Sequence, residues 1–284
     1  MTRSFNGILA VRMSVSDELQ QREQAALESY QLLPRLLHTV DTVDTSAVLL
    51  GTRVDTPIVP MRYNTAPDAP SHLCFLDADH LLATGEVDSD EPSTYDLQQC
   101  ILALTPGKMG ELMPKVRKLV ATKPLALALD MTKLADTPPY GEQRWHPRSR
   151  EDIAELQAAA GVPLWLYGIA SVRDAEVASE AGVEAIVVDS SSGLHLAAPA
   201  TADIFPDIFD AVAGTVAIHA GGLVRSGIDV FRYLALGAET VVVRSDRALT
   251  NLQHELDYAM RLTGCATLAD IGYEAIFAPL FEES

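Results

Sequence analysis

Basic residues are scarce: 21 Lys and Arg stand against 39 Asp and Glu in 284 residues, a formal net charge of −18. A field of that sign repels phosphate backbones and anionic lipid surfaces over most of the exterior, which argues against nucleic-acid and membrane partners. Cysteine is scarcer still. Cys74, Cys100 and Cys265 lie far apart and form no CxxC pair, so neither a disulfide framework nor a zinc site is expected, and a reducing cytoplasm is the expected location. No apolar run approaches the roughly 20 residues of a membrane span, and the opening MTRSFNGILAVRMS has only about six apolar residues together, with no small-residue cleavage site.

The chain does hold a large apolar fraction, 48%, enough for a sizeable core. From residue 98 onward, short aliphatic runs alternate with amphipathic segments, the pattern of a parallel sheet wrapped by crossover helices. Strands are expected at 99–104, 124–130, 163–169, 185–190, 215–222 and 240–245, with weaker ones at 56–61 and 72–77. Each is apolar nearly throughout, as strands covered on both faces should be. Helices are expected at about 108–121, 148–160, 171–181, 202–213, 226–236 and 248–263. The reading is one α/β domain over 1–284, a (β/α)8 TIM barrel over 56–284 with an N-terminal helical lead-in over 1–55. Its early half looks eroded: 62–71 is too short and proline-rich for a crossover helix, and 77–97, with its DSDEPS run, reads as a solvated loop. A helix at 16–30 is expected to cap the barrel bottom or to pack on a neighbouring subunit.

In such barrels function sits at the C-terminal strand ends. The strongest local signal there is HAGGLVRSGIDVF (219–231): Gly221 and Gly222 let backbone amides approach an anion, a helix N-terminus follows, and Arg225 adds a forked cation. The same residues also suit a tight turn with Arg225 paired to a surface carboxylate. Arg244, ending the last strand, is either a second anion ligand or a structural ion pair. Asp77, Asp79, His80, Asp130 and Asp189 come from separate strand ends, but no pair has a known metal-ligand spacing, so no metal site is assigned.

Three segments, 162–190, 221–243 and 255–271, resemble in order and spacing the C-terminal half of the FMN-dependent α-hydroxy-acid dehydrogenase and oxidase family, which includes glycolate and lactate oxidases, and 32–60 resembles that family's approach to its first strand. The resemblance implies a flavin barrel that oxidises 2-hydroxy acids, with FMN as cofactor. The departures fall at the reacting centre. Tyr167 stands where the family has a flavin-contacting lysine, and Ser191 stands about where it has a histidine base, with no substrate-binding arginine nearby. The family's Gln and Tyr on strand 3 fall at Leu102 and Leu104, its Thr on strand 4 at about Ala128, and its Asp before the paired glycines at Ala220. Arg244 is one position out of register with the family's arginine. Trp165, two residues before Tyr167, is expected on the same face, partly filling the flavin ring's space.

These losses imply a non-oxidising relative that binds FMN or another phosphorylated small molecule through Gly221, Gly222, Arg225 and Arg244. Such a protein would act as a partner or regulatory subunit, in a homo-oligomer or with another protein. The alternative is an FMN-dependent oxidoreductase or isomerase with altered chemistry, with Tyr167, His195, Asp130 or Asp189 as acid or base. Trp145 and His146, in the segment after strand 4, suit either a lid or a surface contact.

Overall fold

In the computed structural model, described for residues 20–62, 73–87, 96–134, 146–191, 198–244 and 249–278, eight parallel strands close into a barrel. The strands are β1 (Ile58–Arg62), β2 (Cys74–Asp77), β3 (Cys100–Leu104), β4 (Ala126–Asp130), β5 (Leu164–Ile169), β6 (Ala185–Val188), β7 (Ala217–Ala220) and β8 (Val241–Val243). Val241 to Val243 pair with Ile58 to Pro60, which joins β8 to β1 and closes the ring. All eight fall on the runs read from the sequence.

Helices α1 (Ala78–Thr84), α2 (Met109–Val120), α3 (Arg150–Ala160), α4 (Val172–Glu180), α5 (Thr201–Val212), α6 (Gly227–Ala235) and α7 (Leu249–Thr263) wrap the outside. Their starts follow from capping chemistry: Ser149, Ser171 and Ser226 each accept the amide three residues on, and Asp152 and Asp229 return the bond to the cap backbone. The expected loop over 77–97 is corrected in its first third, where Asp77 accepts the Asp79 and His80 amides and starts α1.

Two apolar sets follow from strand alternation. Leu102, Leu104, Leu127, Leu129, Leu166 and Ile186 turn outward under the helices. Val59, Met61, Phe75, Ala103, Ala128, Trp165, Tyr167, Val187 and Val242 fill the barrel interior, where small residues on β3, β4 and β6 leave room for the large aromatics of β2 and β5.

The lead helix does not cap the bottom. A hairpin of Ala47–Leu49 and Thr52–Val54 lies at that end, with Leu49 buried in the interior cluster. Residues 20–28 are helical and pack beside α5 and α6 instead: the Tyr30 hydroxyl donates to the Ala202 carbonyl, and Arg232 Nε donates to the Tyr30 carbonyl. The reason is chemical. Ala200, at the N-cap of α5, has no side-chain acceptor, and the buried Glu23 carboxylate supplies it, accepting from the Thr201 amide at 3.1 and 3.2 Å and from Ser190 Oγ at 2.6 Å.

Burial pushes the Glu23 carboxyl above its ordinary 4.5, while the bonds from Ser190 and Thr201 pull it back. Folded Glu23 therefore keeps its proton at pH values where the unfolded chain has released it, and this contribution to stability is lost as pH rises through the raised value. Glu23→Gln is expected to flatten that slope. The check is the difference in urea midpoint between wild type and variant as pH is raised from about 4.5; a difference that does not change with pH contradicts it.

Candidate functional site at the barrel mouth

The C-terminal mouth is built from β4, β5, β6 and β8. Inward alternation on these strands delivers Asp130, Tyr167, Asp189 and Arg244 to one level. Gly168 makes this arrangement available on β5. It has φ +92°, the register shifts between Tyr167 and Ile169, and a Cβ there would lie 2.7 Å from Thr132 Cγ2 and 2.9 Å from the Thr132 amide. Tyr167 thus stays inward while the 3-10 turn Met131–Leu134 packs hard against β5.

The four side chains form one network. Tyr167 Oη donates to Asp189 Oδ2 at 2.7 Å. The Arg244 guanidinium lies over the Tyr167 ring, 4.7 Å from its centroid, with Nη2 3.7 Å from Asp130 Oδ2 and 3.9 Å from Asp189 Oδ2. Arg244 also donates to Thr132 Oγ1 at 3.1 Å, and Thr132 donates through both its amide and its hydroxyl to Asp130 Oδ1. Among the described residues Asp130 Oδ2 has no hydrogen-bond partner, and its contact with Arg244, at 3.7 Å, is electrostatic. Asp189 Oδ1 accepts the Ser191 amide at 2.8 Å.

Both carboxylates and Tyr167 are fully buried; the Arg244 side chain is 27% exposed. Burial raises the Asp130 carboxyl, and Arg244 and Thr132 oppose the rise. Burial and the neighbouring Asp189 hold the Tyr167 hydroxyl well above its ordinary value, so it serves as a donor and not as a base. With both carboxylates ionised the cluster carries one negative charge in excess.

Below this level Trp165 and His219 stack face to face at 4.3 Å, and Phe75 meets both Trp165 and Tyr167 edge-on. Trp165 shares the interior with Tyr167 as expected, one layer deeper. His219 Nδ1 lies 2.9 Å from Thr240 Oγ1, and burial pulls its pKa down to about 3, so the ring is neutral. The position of His219 was open to alternation from Gly221; sequence reasoning passed over it.

The other sequence candidates are placed as follows. His195 and Trp145 lie outside the described residues. Leu102 and Leu104 face outward, so the family's strand-3 groups cannot be replaced from there; Ile101 and Ala103 face in. Ala128 lies within the interior cluster, and the β4 residue at the mouth is Asp130. Asp77 pairs with Lys133 at 3.0 Å and Asp79 with Lys115 at 2.7 Å, which uses these carboxylates structurally. Among the described residues no three His, Cys, Asp or Glu side chains group as metal ligands would.

In the glycine loop after β7, Gly221 donates to the Val188 carbonyl, and a Cβ on it would fall 2.7 Å from Tyr167 Oη. Gly222 has φ +83°, against Thr201. The amides of Arg225 and Ser226 donate to Asp229 Oδ2, and that of Gly227 donates to Glu255 Oε2. Arg225 is exposed. Gly222 is half-buried at the surface end of this loop, while Arg244 is turned into the mouth.

The closed barrel with a polar mouth defines the class: a (β/α)8 protein with its site at the C-terminal strand ends. The chain belongs to the FMN-dependent dehydrogenase family, whose sequence profile matches residues 111–278. It is 33% identical to an L-lactate oxidase of Lactobacillus jensenii over 44% of this chain and 34% of that protein. It is 35% identical to a peroxisomal (S)-2-hydroxy-acid oxidase of Oryza sativa subsp. japonica over 43% and 38%. These matches thus span little more than a third of either relative. An oxidase of Gibberella fujikuroi, FUB9, is 25% identical over 87% of this chain and 82% of its own. Among solved structures, a mandelate oxidase variant carrying a monooxide FMN adduct superposes with a TM-score of 0.69 at 21% identity, covering 93% of this chain and 92% of that one, which shows a shared fold. No helix among the described residues is long and apolar enough to cross a membrane.

The family is FMN-dependent, and the mouth bears on how a flavin could sit here. A flavin ring needs a flat slot, and a reduced ring needs a fixed cation beside it. The Arg244 guanidinium covers Tyr167, Tyr167 Oη crowds Gly221, and two carboxylates hold the cation. These residues do not fit a flavin ring.

Proposed function

We propose that this protein is a non-oxidising member of the FMN-dependent dehydrogenase family. It holds FMN, or another phosphorylated small molecule, by the phosphate end and works as a partner or regulatory subunit. The observation that carries this reading is the Arg244 guanidinium over Tyr167 between Asp130 and Asp189, which closes the level where a flavin ring and a 2-hydroxy acid would meet. Ser191 supports it: a serine hydroxyl beside Asp189 does not take a proton near neutral pH, so the histidine's work has no replacement there.

Comparing FMN with riboflavin tests it, because the two share the ring and differ in the phosphate. FMN is expected to bind and riboflavin not, with Arg225→Ala weakening FMN about tenfold, the ~1.4 kcal/mol scale of a charge-assisted contact. Equal affinity for the two, by quenching of flavin fluorescence, means that the ring is seated and the reading is wrong.

A second reading is an FMN-dependent oxidoreductase or isomerase with altered chemistry. The likeness to the FUB9 oxidase along most of both chains favours it, as does the Tyr167–Asp189 hydrogen bond as an acid pair. Turnover that Tyr167→Phe abolishes, while the fold is kept, would establish it.

A further inference from the structure

Strands β2 and β3 each open on a cysteine, and the register of the barrel sets Cys74 directly against Cys100. Both side chains turn outward beneath the helices, 2% and 3% exposed, with their sulfurs 3.8 Å apart. Twenty-six residues of sequence separate them, so no spacing motif marked the pair. Cys265, after α7, has other partners: its thiol donates to the Asp270 carbonyl and accepts from Thr263 Oγ1. All three are thiols in this structure.

Two thiols can join without unfolding only where the backbone already stands at bonding distance. Paired strands lie about 4.8 Å apart, inside the roughly 4.4–6.8 Å between Cα atoms that a disulfide spans. Closing the sulfurs from 3.8 Å to about 2.05 Å then takes side-chain rotation and leaves both strands in place. Side chains that stand parallel across such a pair keep their Cβ atoms at the long end of the ~3.5–4.5 Å that the bond prefers. A bond made there is strained, and a strained disulfide is readily reduced. A cavity of about 270 Å³ opens to solvent beside both strand starts, where Leu73 and Gln99 line it. A small oxidant therefore comes within one residue of each cysteine.

We propose that Cys74 and Cys100 form an oxidation site, whose reagent is a hydroperoxide and whose product is a reversible disulfide between β2 and β3. With hydrogen peroxide, the first sulfur attacks as thiolate at one oxygen, the O–O bond breaks, one water leaves and a sulfenic acid remains. The second sulfur attacks the sulfenic sulfur, the S–S bond forms and a second water leaves. The two thiols give up two protons and two electrons, and the peroxide takes up both. The neighbouring Cys74 sulfur and burial keep the proton on Cys100, so the pair reacts slowly and a reducing medium holds it as thiols. The bond closes a loop that carries α1 with Asp77 and Asp79, and it ties the early half of the barrel against opening. This inference stands whether or not the mouth is catalytic.

The test is to treat the folded full chain with hydrogen peroxide, remove the excess with catalase, alkylate the remaining thiols in urea and read the digest by mass spectrometry. The peptides holding Cys74 and Cys100 are expected as one linked species, two hydrogens lighter than their sum, with Cys265 alkylated. Dithiothreitol should restore both thiols, and a Cys265→Ala chain should form the same link with an unchanged circular dichroism spectrum. Peroxide that leaves all three cysteines open to alkylation overturns the proposal. So does a link that forms only when peroxide is added in urea, a link that joins Cys265, or oxidation of Cys74 and Cys100 to sulfinic acids with no link between them.

Discussion

Replacing Arg244 with alanine is expected to lower stability by about 3 kcal/mol, because it takes the nearest cation from the buried Asp130 and Asp189, leaving Asp130 with the weaker influence of Lys133. That figure is at the low end for breaking a buried ion pair, since Arg244 is 27% exposed and its contacts with the carboxylates exceed hydrogen-bond length. At the scaling of domains this large the melting temperature should fall by roughly 6–12 °C. The sign with pH is definite. The Asp130 carboxyl is already raised by burial, and Arg244 is the largest of the influences that pull it down, ahead of Thr132 and Lys133. Without the arginine the folded protein holds the Asp130 proton to higher pH, so the deficit should grow as pH rises and shrink under acid. Adding Asp130→Asn to the Arg244→Ala chain should recover part of the loss. Calorimetry at two pH values reads all of this, and an Arg244→Ala chain melting with wild type at both would remove the network from the account.

The second large effect is steric. Gly227 opens α6 where it crosses α7, and a Cβ there would overlap the Leu252 carbonyl oxygen and the Leu256 amide, with Glu255 Cβ at 2.7 Å. The opposing atoms are mostly backbone, so no rotamer change relieves the clash. The cost should reach or exceed the ~3 kcal/mol upper range of core overpacking. Gly227→Ala is expected to express largely insoluble or to melt about 6 °C or more below wild type. A soluble variant with an unchanged melting point would show that the two helices can separate at little cost. The Gly227 amide, bonded to Glu255 Oε2, ties the same junction from the other side.

Strand positions were legible because parallel barrel strands are continuous apolar runs set between helical periods, and all eight runs became strands. The same feature hid which way their side chains face. From Cys100 to Leu104 every residue is apolar, so nothing marked Leu102 and Leu104 as outward or Ile101 and Ala103 as inward. Polar strand ends were more informative: Asp130, Tyr167 and Asp189 were singled out and do meet. Their convergence on Arg244 was not legible, since VVVRS does not say whether the arginine turns in or out. The lead helix showed its amphipathic face but not its seat, which depends on Ala200 lacking a cap and Glu23 replacing it across 178 residues of sequence. The start of α1 was misread because Asp77 and its neighbours blend into an acidic run, though Asp77 itself was a correct capping type.

The most direct test of the closed mouth is to mix the protein with FMN in the absence of oxygen, add lactate, mandelate and glycolate in turn, and follow the visible flavin band. The network predicts that the band persists with every acid, because no ring and substrate can meet above Tyr167. Bleaching by any one of them at a rate proportional to protein would show that the mouth opens to a flavin and that the protein is a working 2-hydroxy-acid oxidoreductase.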